Sequence, residues 1–495
     1  MFFSKIFTIL FVLQISVLYP IFCYAFESMS GLTGLYINKE DAYNGYTLFV
    51  PAYGKEIVLI DMKGRKVHAW KSPSPVFYAE ILDSGNIIAS IAASSSQIKH
   101  KEQNFLAGCG RVIELDWEGN IVWDVTFASP EMAQHHALEP MPNGNILMLA
   151  MEFISKDDAI ALGRDPKLIP EKDEDVMFEQ IIEVNREGKV IWKWKSSDHL
   201  GLGYDKMNPN FIVGVPNVLN GDSPTKYFNY FNGISYNAKT DQIAVTCRNF
   251  GEILVIDHKT GKISWRFGNP GTYGGGALPA GYLDAGEQVL FGPHDPNWLP
   301  NGNISVFNNG TFHPTGKGSA VMEINPATNK VAWEFSLPEL VHNGFYSPFQ
   351  SAAQKLPNGN YFVTSSQEGH LFEVTPSKEI VWEYVVPVFP DGPRCAKAVS
   401  YTHLDVYKRQ AWMWRASNDL PVPVSPWMST GARESAILPT VDSTSSIALP
   451  APMSGATAPT SSRRADASMR RFRRPYSTAL RASSSSSSAS KGLVM

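Results

Sequence analysis

The sequence predicts an all-β fold: a six-bladed β-propeller of four-stranded antiparallel blades over residues 44–390. Three observations lead there. From about Asn44 the chain repeats one unit: a turn of Pro-Asn-Gly-Asn type, an apolar strand, a strand of Val-x-Glu-Ile-Asp character, another turn, and a strand carrying tryptophan. The last piece occurs six times, as GRKVHAW (64–70), GNIVW (119–123), GKVIW (188–192), GKISW (261–265), NKVAW (329–333) and KEIVW (378–382). Segments of helical period are nearly absent, and the 49 to 73 residues between those tryptophans hold four short strands with their loops. A solenoid is the competing architecture, but strands that come in fours favour radial closure.

Residues 1–25 carry Lys5, then a mainly apolar run from Ile6 to Ala25 broken at Pro20, ending Phe22-Cys23-Tyr24-Ala25. This reads as a secretory signal peptide cleaved after Ala25. A membrane anchor is the alternative, and the run is barely long enough for one. The mature protein is therefore expected to be periplasmic or secreted, without a membrane span and as a monomer. At 142–145, 300–303 and 357–360 the turn reads Pro-Asn-Gly-Asn, and its Asn-Gly pair is expected to supply the positive φ angles that a tight hairpin needs. In five of the tryptophan strands the ring follows the turn residue by four. In the first, His68 takes that place and Trp70 lies two residues on, on the same strand face.

The strand before each Pro-Asn-Gly-Asn turn is the least apolar and most variable, so it is the one expected to line the central channel. His136 lies six residues before Pro142, and His294 lies six before Pro300; Ser351 holds the same place before Pro357. His136 and His294 should thus face the axis from blades 3 and 5. Tyr230, in FNYFNGISYN, belongs to the matching strand of blade 4, and Arg248 sits at a strand end in DQIAVTCRNFGEILVID. An arginine fork beside converging histidines suits a tetrahedral oxyanion; a surface arginine accounts for that stretch equally well. His135 should point to the opposite face if the strand alternates regularly. His68, His258, His313 and His370 fall outside the repeat logic. Longer insertions at 93–108, 153–178, 196–229 and 269–292 have the length of lids or binding loops, and 268–283 should be mobile.

At Ser400 the character of the chain changes. SYTHLDVYKRQ (400–410) resembles a translated sequencing adapter, and residues 411–495 are rich in Ser, Ala and Pro without periodicity. Residues 1–400 hold 24 Lys and 7 Arg, whereas 411–495 hold 1 Lys and 9 Arg, as a shifted reading frame would produce. Residues 400–495 are therefore expected to be a non-native, disordered tail outside the fold. Counting 1–400 alone, 31 basic against 42 acidic residues leave a net charge of −11, which disfavours nucleic acid as a partner. Beyond Cys23 only Cys109, Cys247 and Cys395 remain, with no zinc spacing, so one disulfide at most and no structural metal are expected.

The motifs QHHALEPMPNGNILML, ISYNAKTDQIAVTCRNFGEILVIDHKTGKISWRFG, FGPHDPNWLPNGNISVFNNG and FYSPFQSAAQKLPNGNYFVTSSQEGHLFEVTP resemble those of the bacterial arylsulfotransferases, over roughly blades 2 to 6. The resemblance implies an exported six-bladed propeller that moves a sulfuryl group from an aryl sulfate donor to a phenolic acceptor, with no nucleotide, metal or other cofactor. It implies a catalytic set of His294 as transiently sulfated nucleophile, His136 as second histidine, and Arg248. Tyr230 falls where characterised members place a further channel histidine; with Asn309 it is a candidate for substrate binding. Two departures stand beside this: Ala137 replaces a more typical His-Asp pairing, and residues 26–43 leave no room for a separate dimerisation domain. The competing class is a non-catalytic periplasmic propeller, since DHKTGKISW is also similar to quinoprotein repeats. A lactonase-like hydrolase ranks last because it would want a carboxylate cage for calcium.

Overall fold

A computed structural model describes residues 33–405 apart from 52–53, 95, 98–109, 212–225, 277–285, 312, 337–344 and 388–398. The signal-peptide reading at 1–25 and everything from 406 onward lie outside the described residues. Those described belong to one compact unit, and among them the only α-helix is the short Lys156–Ala161.

The strands form six antiparallel sheets arranged as the blades of a propeller. Blades 2, 3, 4 and 5 are four-stranded meanders in chain order, over 76–126, 132–195, 231–267 and 294–336. Blade 6, over 352–385, takes Gly34–Asn38 as a fifth strand on its outer edge. Blade 1 supplies only three consecutive strands, from Tyr46 to Lys71, and its place nearest the axis is filled by Val399–Asp405, which pairs with Tyr46–Pro51. The ring is thus closed by a strand from the far end of the sequence. This corrects the exclusion of 400–405 from the fold: the Tyr46–Pro51 edge needs backbone partners, and any extended segment within reach can supply them.

Why these residues form blades is explained by the faces they bury. The second and third strands, such as Ile146–Ser155 and Asp175–Val184, are apolar on both faces and almost wholly buried. They lie between neighbouring blades. Outermost strands such as Ile121–Thr126 alternate towards solvent. Buried apolar clusters join blades 1 and 2, blades 2 to 4, blades 4 and 5, blades 5 and 6, and blades 6 and 1, so the core is itself a ring.

Two repeated polar devices hold the ring in register. In four blades the turn asparagine donates to the glutamate of the third strand: Asn86 to Glu114 and Asn145 to Glu183, each at 2.6 Å, then Asn303 to Glu323 at 2.6 Å and Asn360 to Glu373 at 2.5 Å. Tryptophans tie five of the six blades to the next. Trp70, Trp123, Trp194, Trp333 and Trp382 donate their indole N–H to the carbonyls of Asp116, Arg186, Gly261, Pro376 and Met62. In blade 3 the docking ring is Trp194, two residues beyond the repeat's marker Trp192, which packs on His258 instead.

Of the insertions, the stretch 268–283 expected to be mobile holds a short capped turn at Pro270–Tyr273, and its residues 277–283 lie outside the described residues. Asn269 caps the turn, Thr272 is buried, and the Thr272 hydroxyl donates to Glu252, which also pairs with Arg266. Cys247 is buried and unpaired, its thiol directed at the Asn229 carbonyl; Cys109 and Cys395 lie outside the described residues.

Candidate active site

The inner strands do not run straight past the axis. His136 (φ 54°), Tyr230 (60°), Asp295 (55°), Gln350 (58°) and Ser351 (80°) are non-glycine residues in the left-handed region. The inner-strand register slips opposite Met148–Ala150 in blade 3, between Phe231 and Gly233 in blade 4, and between His294 and Asn297 in blade 5. Such bulges re-aim side chains, and the left-handed residues in them cost on the order of 1–3 kcal/mol each. Gly233 makes a close approach feasible: a Cβ there would lie 2.5 Å from Pro296 Cδ and 2.7 Å from the Asp295 nitrogen. The inner strands of blades 4 and 5 therefore press together beside His294.

His294 opens the inner strand of blade 5 and is 2% exposed. Its Nδ1 meets two acceptors, the Gly292 carbonyl at 3.0 Å and Asn309 Oδ1 at 2.6 Å. The Asn309 amide cannot be turned round, because its Nδ2 donates to the carbonyls of Ser347 and Gln350. Nδ1 therefore carries the proton, and Nε2 keeps its lone pair, accepting the Gln350 N–H at 3.2 Å. Burial, helped by Arg248 and His136, pushes the His294 pKa down to about 3, so the ring is neutral. Asn309, a candidate for binding substrate by its sequence, is fully buried here, and its amide is engaged in holding the imidazole.

Arg248 comes directly after the second strand of blade 4, its backbone N–H bound to the Tyr230 carbonyl at 2.9 Å. Its guanidinium lies over the Tyr230 ring, 5.9 Å from the centroid, and donates to Asn249 at 3.4 Å. Among the described residues no carboxylate pairs with it. Burial lowers its pKa, opposed by the phenols of Tyr230 and Tyr346, but a guanidinium stays charged. His136 stands edge-on to Tyr230 at 5.3 Å, and its pKa is held well below the ordinary value by burial, His135 and Arg248. His136, Tyr230, Arg248 and His294, from three blades, are thus brought within electrostatic reach of one another.

Sequence reasoning missed His135. It does not leave the site; the left-handed turn at His136 breaks the alternation that would have sent it away. His135 is buried, with Nδ1 2.6 Å from His136 Nδ1 and Nε2 2.8 Å from Glu179 Oε2. A signal was present: an acid inside the apolar run VMFEQII, which must be buried, demands a partner. Tyr346 was missed as well, being an exposed ring in an irregular segment. A second group of acids, Glu80, Glu139 and Asp295, lies together with Tyr78 along the inner strands, and burial raises Asp295 to about 6. Among the described residues no group of three His, Cys, Asp or Glu side chains is set to hold a metal ion.

This arrangement offers a neutral imidazole with one nitrogen anchored and the other bearing a lone pair, beside a cation with no carboxylate partner among the described residues. That is a place for an anion and for nucleophilic attack upon it. Comparisons with known proteins bear on which anion. No curated protein matches the chain. Similar solved structures include a protein of unknown function from Bacteroides caccae (14% identity, TM-score 0.44, covering 72% of this chain and 98% of that one). A streptogramin B lyase is 14% identical (TM-score 0.39, covering 77% and 96%). A virginiamycin B lyase from Staphylococcus aureus is 13% identical (TM-score 0.36, covering 71% and 88%). At these scores the likenesses decide nothing about function. The family model for arylsulfotransferase (ASST) matches residues 111–388, more than half of the chain and every residue of the site just described. The chain belongs to the arylsulfotransferase family.

Proposed function

We propose that this protein moves a sulfuryl group from an aryl sulfate to a phenol through a sulfohistidine on His294, outside the cytoplasm. The observation that carries the reading is the pairing of His294, anchored through Nδ1 by Asn309 and Gly292, with Arg248, which has no carboxylate partner among the described residues. In the first half-reaction His294 Nε2 gives up the Gln350 N–H and attacks the donor sulfur. The N–S bond forms, the S–O(aryl) bond breaks, and its electron pair leaves with the phenolate. Arg248 and His136 bind the sulfuryl oxygens, whose charge builds up in the transition state. In the second half-reaction the acceptor oxygen attacks the same sulfur, the N–S bond breaks, and the phenolic proton passes to His136. Imidazole serves because it is both a good nucleophile and a good leaving group. Export rests on the apolar run of residues 1–25, with its small residue at the expected cleavage point.

The test is direct. His294→Ala should abolish release of nitrophenolate from 4-nitrophenyl sulfate while the melting curve stays that of a folded protein. Incubating the unsubstituted protein with donor and no acceptor should add the mass of one sulfuryl group to the peptide bearing His294. Near-normal turnover by His294→Ala, or an adduct on another peptide, would overturn the assignment.

A further inference from the structure

We propose that Glu179 and His135 form a buried proton relay behind His136, which makes His136 a proton donor to the leaving phenol in the first half-reaction and a proton acceptor from the entering phenol in the second. The proposal rests on the transferase reading above and adds to it two residues outside the triad of His294, His136 and Arg248.

Two imidazole nitrogens 2.6 Å apart, His135 Nδ1 and His136 Nδ1, cannot both carry a proton or both lack one. One proton lies between them. Another lies between His135 Nε2 and Glu179 Oε2, 2.8 Å apart. If both rings are neutral, only two arrangements satisfy these contacts. In the first, His136 Nδ1–H donates to His135 Nδ1, His135 Nε2–H donates to a Glu179 carboxylate, and His136 Nε2 has a lone pair. In the second, the Glu179 carboxylic acid donates to His135 Nε2, His135 Nδ1–H donates to His136 Nδ1, and His136 Nε2 carries the proton. The two differ by one proton, taken up at His136 Nε2 and ending on Glu179. A mixed arrangement would place an imidazolium at His135, which is 1% exposed.

The surroundings suit such a chain. His135 and Glu179 are both buried, and burial pushes His135 down to about 3 and Glu179 up, so the proton is best kept on the carboxyl. The Phe231 N–H also donates to that carboxylate and steadies its ionised form. Facing His136 from other elements are Arg248 and Tyr230, and the cation makes a proton on His136 easier to give up. The balance closes over one turnover. A proton passes from the relay to the departing phenolate oxygen, or to solvent when the leaving group is nitrophenolate, leaving Glu179 ionised, and the acceptor's phenolic proton restores it. Glu179 and His135 act through His136 and are positioning residues.

The experiment separates the two half-reactions in Glu179→Gln, with His135→Phe as a second variant should the first fold poorly. Nitrophenolate needs no proton to leave, so its burst from 4-nitrophenyl sulfate should stay within about threefold, while transfer to unsubstituted phenol falls on the order of 10²-fold. The loss should grow as the acceptor phenol becomes less acidic, which a merely structural role would not produce. A loss equal for all acceptors and for the burst, or no loss in either variant, would overturn the relay. If the unsubstituted protein gives neither burst nor transfer, it is the transferase reading that fails. The relay is then decided by the imidazole nitrogen resonances of His136. A proton distribution on that ring that shifts in Glu179→Gln supports it, and one that does not overturns it.

Discussion

A buried imidazole without an acidic partner gains nothing from its basicity, and His294 has been made to lose it. Its Nδ1–H is shared between a backbone carbonyl and an amide whose own orientation is set by two further carbonyls. Desolvation beside Arg248 then brings its pKa to about 3. The consequence for pH is definite in sign. An ordinary histidine would lose its lone pair to protonation as the pH falls through about 6.5. Here protonation is displaced to lower pH, so the nitrophenolate burst should be flat from about pH 8 down to about pH 5 and fall only below that. A burst that halves near pH 6.5 would show that the ring is not held as described. The same desolvation acts on stability: the depressed His294 pKa contributes stability that is complete above about pH 6.5 and is lost progressively as the pH drops towards about 3.

At the scale of the strand, the site depends on inner strands that kink at one height. His136, Tyr230 and Asp295 take up left-handed backbone where their strands slip register, and this points neighbouring side chains at one space. Contact between blades 4 and 5 keeps the kinks in place, and Gly233 is a point of close approach in it. Gly233→Ala would put a methyl group into the Pro296 ring and the Asp295 backbone. We expect a loss of about 1–3 kcal/mol in stability, the usual range for overpacking, measured by denaturant unfolding. The burst rate should fall at least tenfold, about 1.4 kcal/mol in barrier, because His294 moves with Asp295. An alanine variant with unchanged stability and rate would mean that blades 4 and 5 have slack at this contact.

For the whole molecule, the question is how six sheets make one ring. Tryptophan donors pass from blade to blade, and Trp382 of blade 6 reaches the Met62 carbonyl of blade 1. Gly34–Asn38 extends blade 6, while Val399–Asp405 completes blade 1 against Tyr46–Pro51. A chain ending at residue 398 should therefore leave that edge open, at about 0.5–1.5 kcal/mol for each ladder hydrogen bond lost. A chain ending at 405 should keep the full stability. Melting temperatures of the two shortened chains against the full one check this; equal values for all three would show that the closing strand adds nothing. The sequence from Ser400 onward carries no blade pattern, yet closure asks only for extended backbone at this edge.

The number of blades and the inner-strand positions of His136 and His294 are legible in the sequence, because each rests on local chemistry; the outer limits of the ring, set by Gly34–Asn38 and Val399–Asp405, are not. Asn-Gly pairs dictate turns, apolar runs dictate buried strands, and a fixed six-residue offset from the turn dictates which residues share a height along the axis. Asn309 is a candidate from the sequence, but its hold on His294 is not legible there, since a side chain's hydrogen-bond partners lie in other segments. His135 escapes for a related reason. Strict alternation holds only for an unbroken strand, and the left-handed bulge at His136 is stabilised by packing between blades that sequence distance conceals. The closing strand is invisible to pattern reasoning, which weighs side chains, whereas an open sheet edge is satisfied by backbone groups that every residue carries. Local pattern thus determined the blades, and only the closed ring decided which residues meet at its axis, because His136 and His294, on inner strands of different blades, come within electrostatic reach, and hydrogen bonds there join separate segments such as His135 with Glu179 and His294 with Gln350.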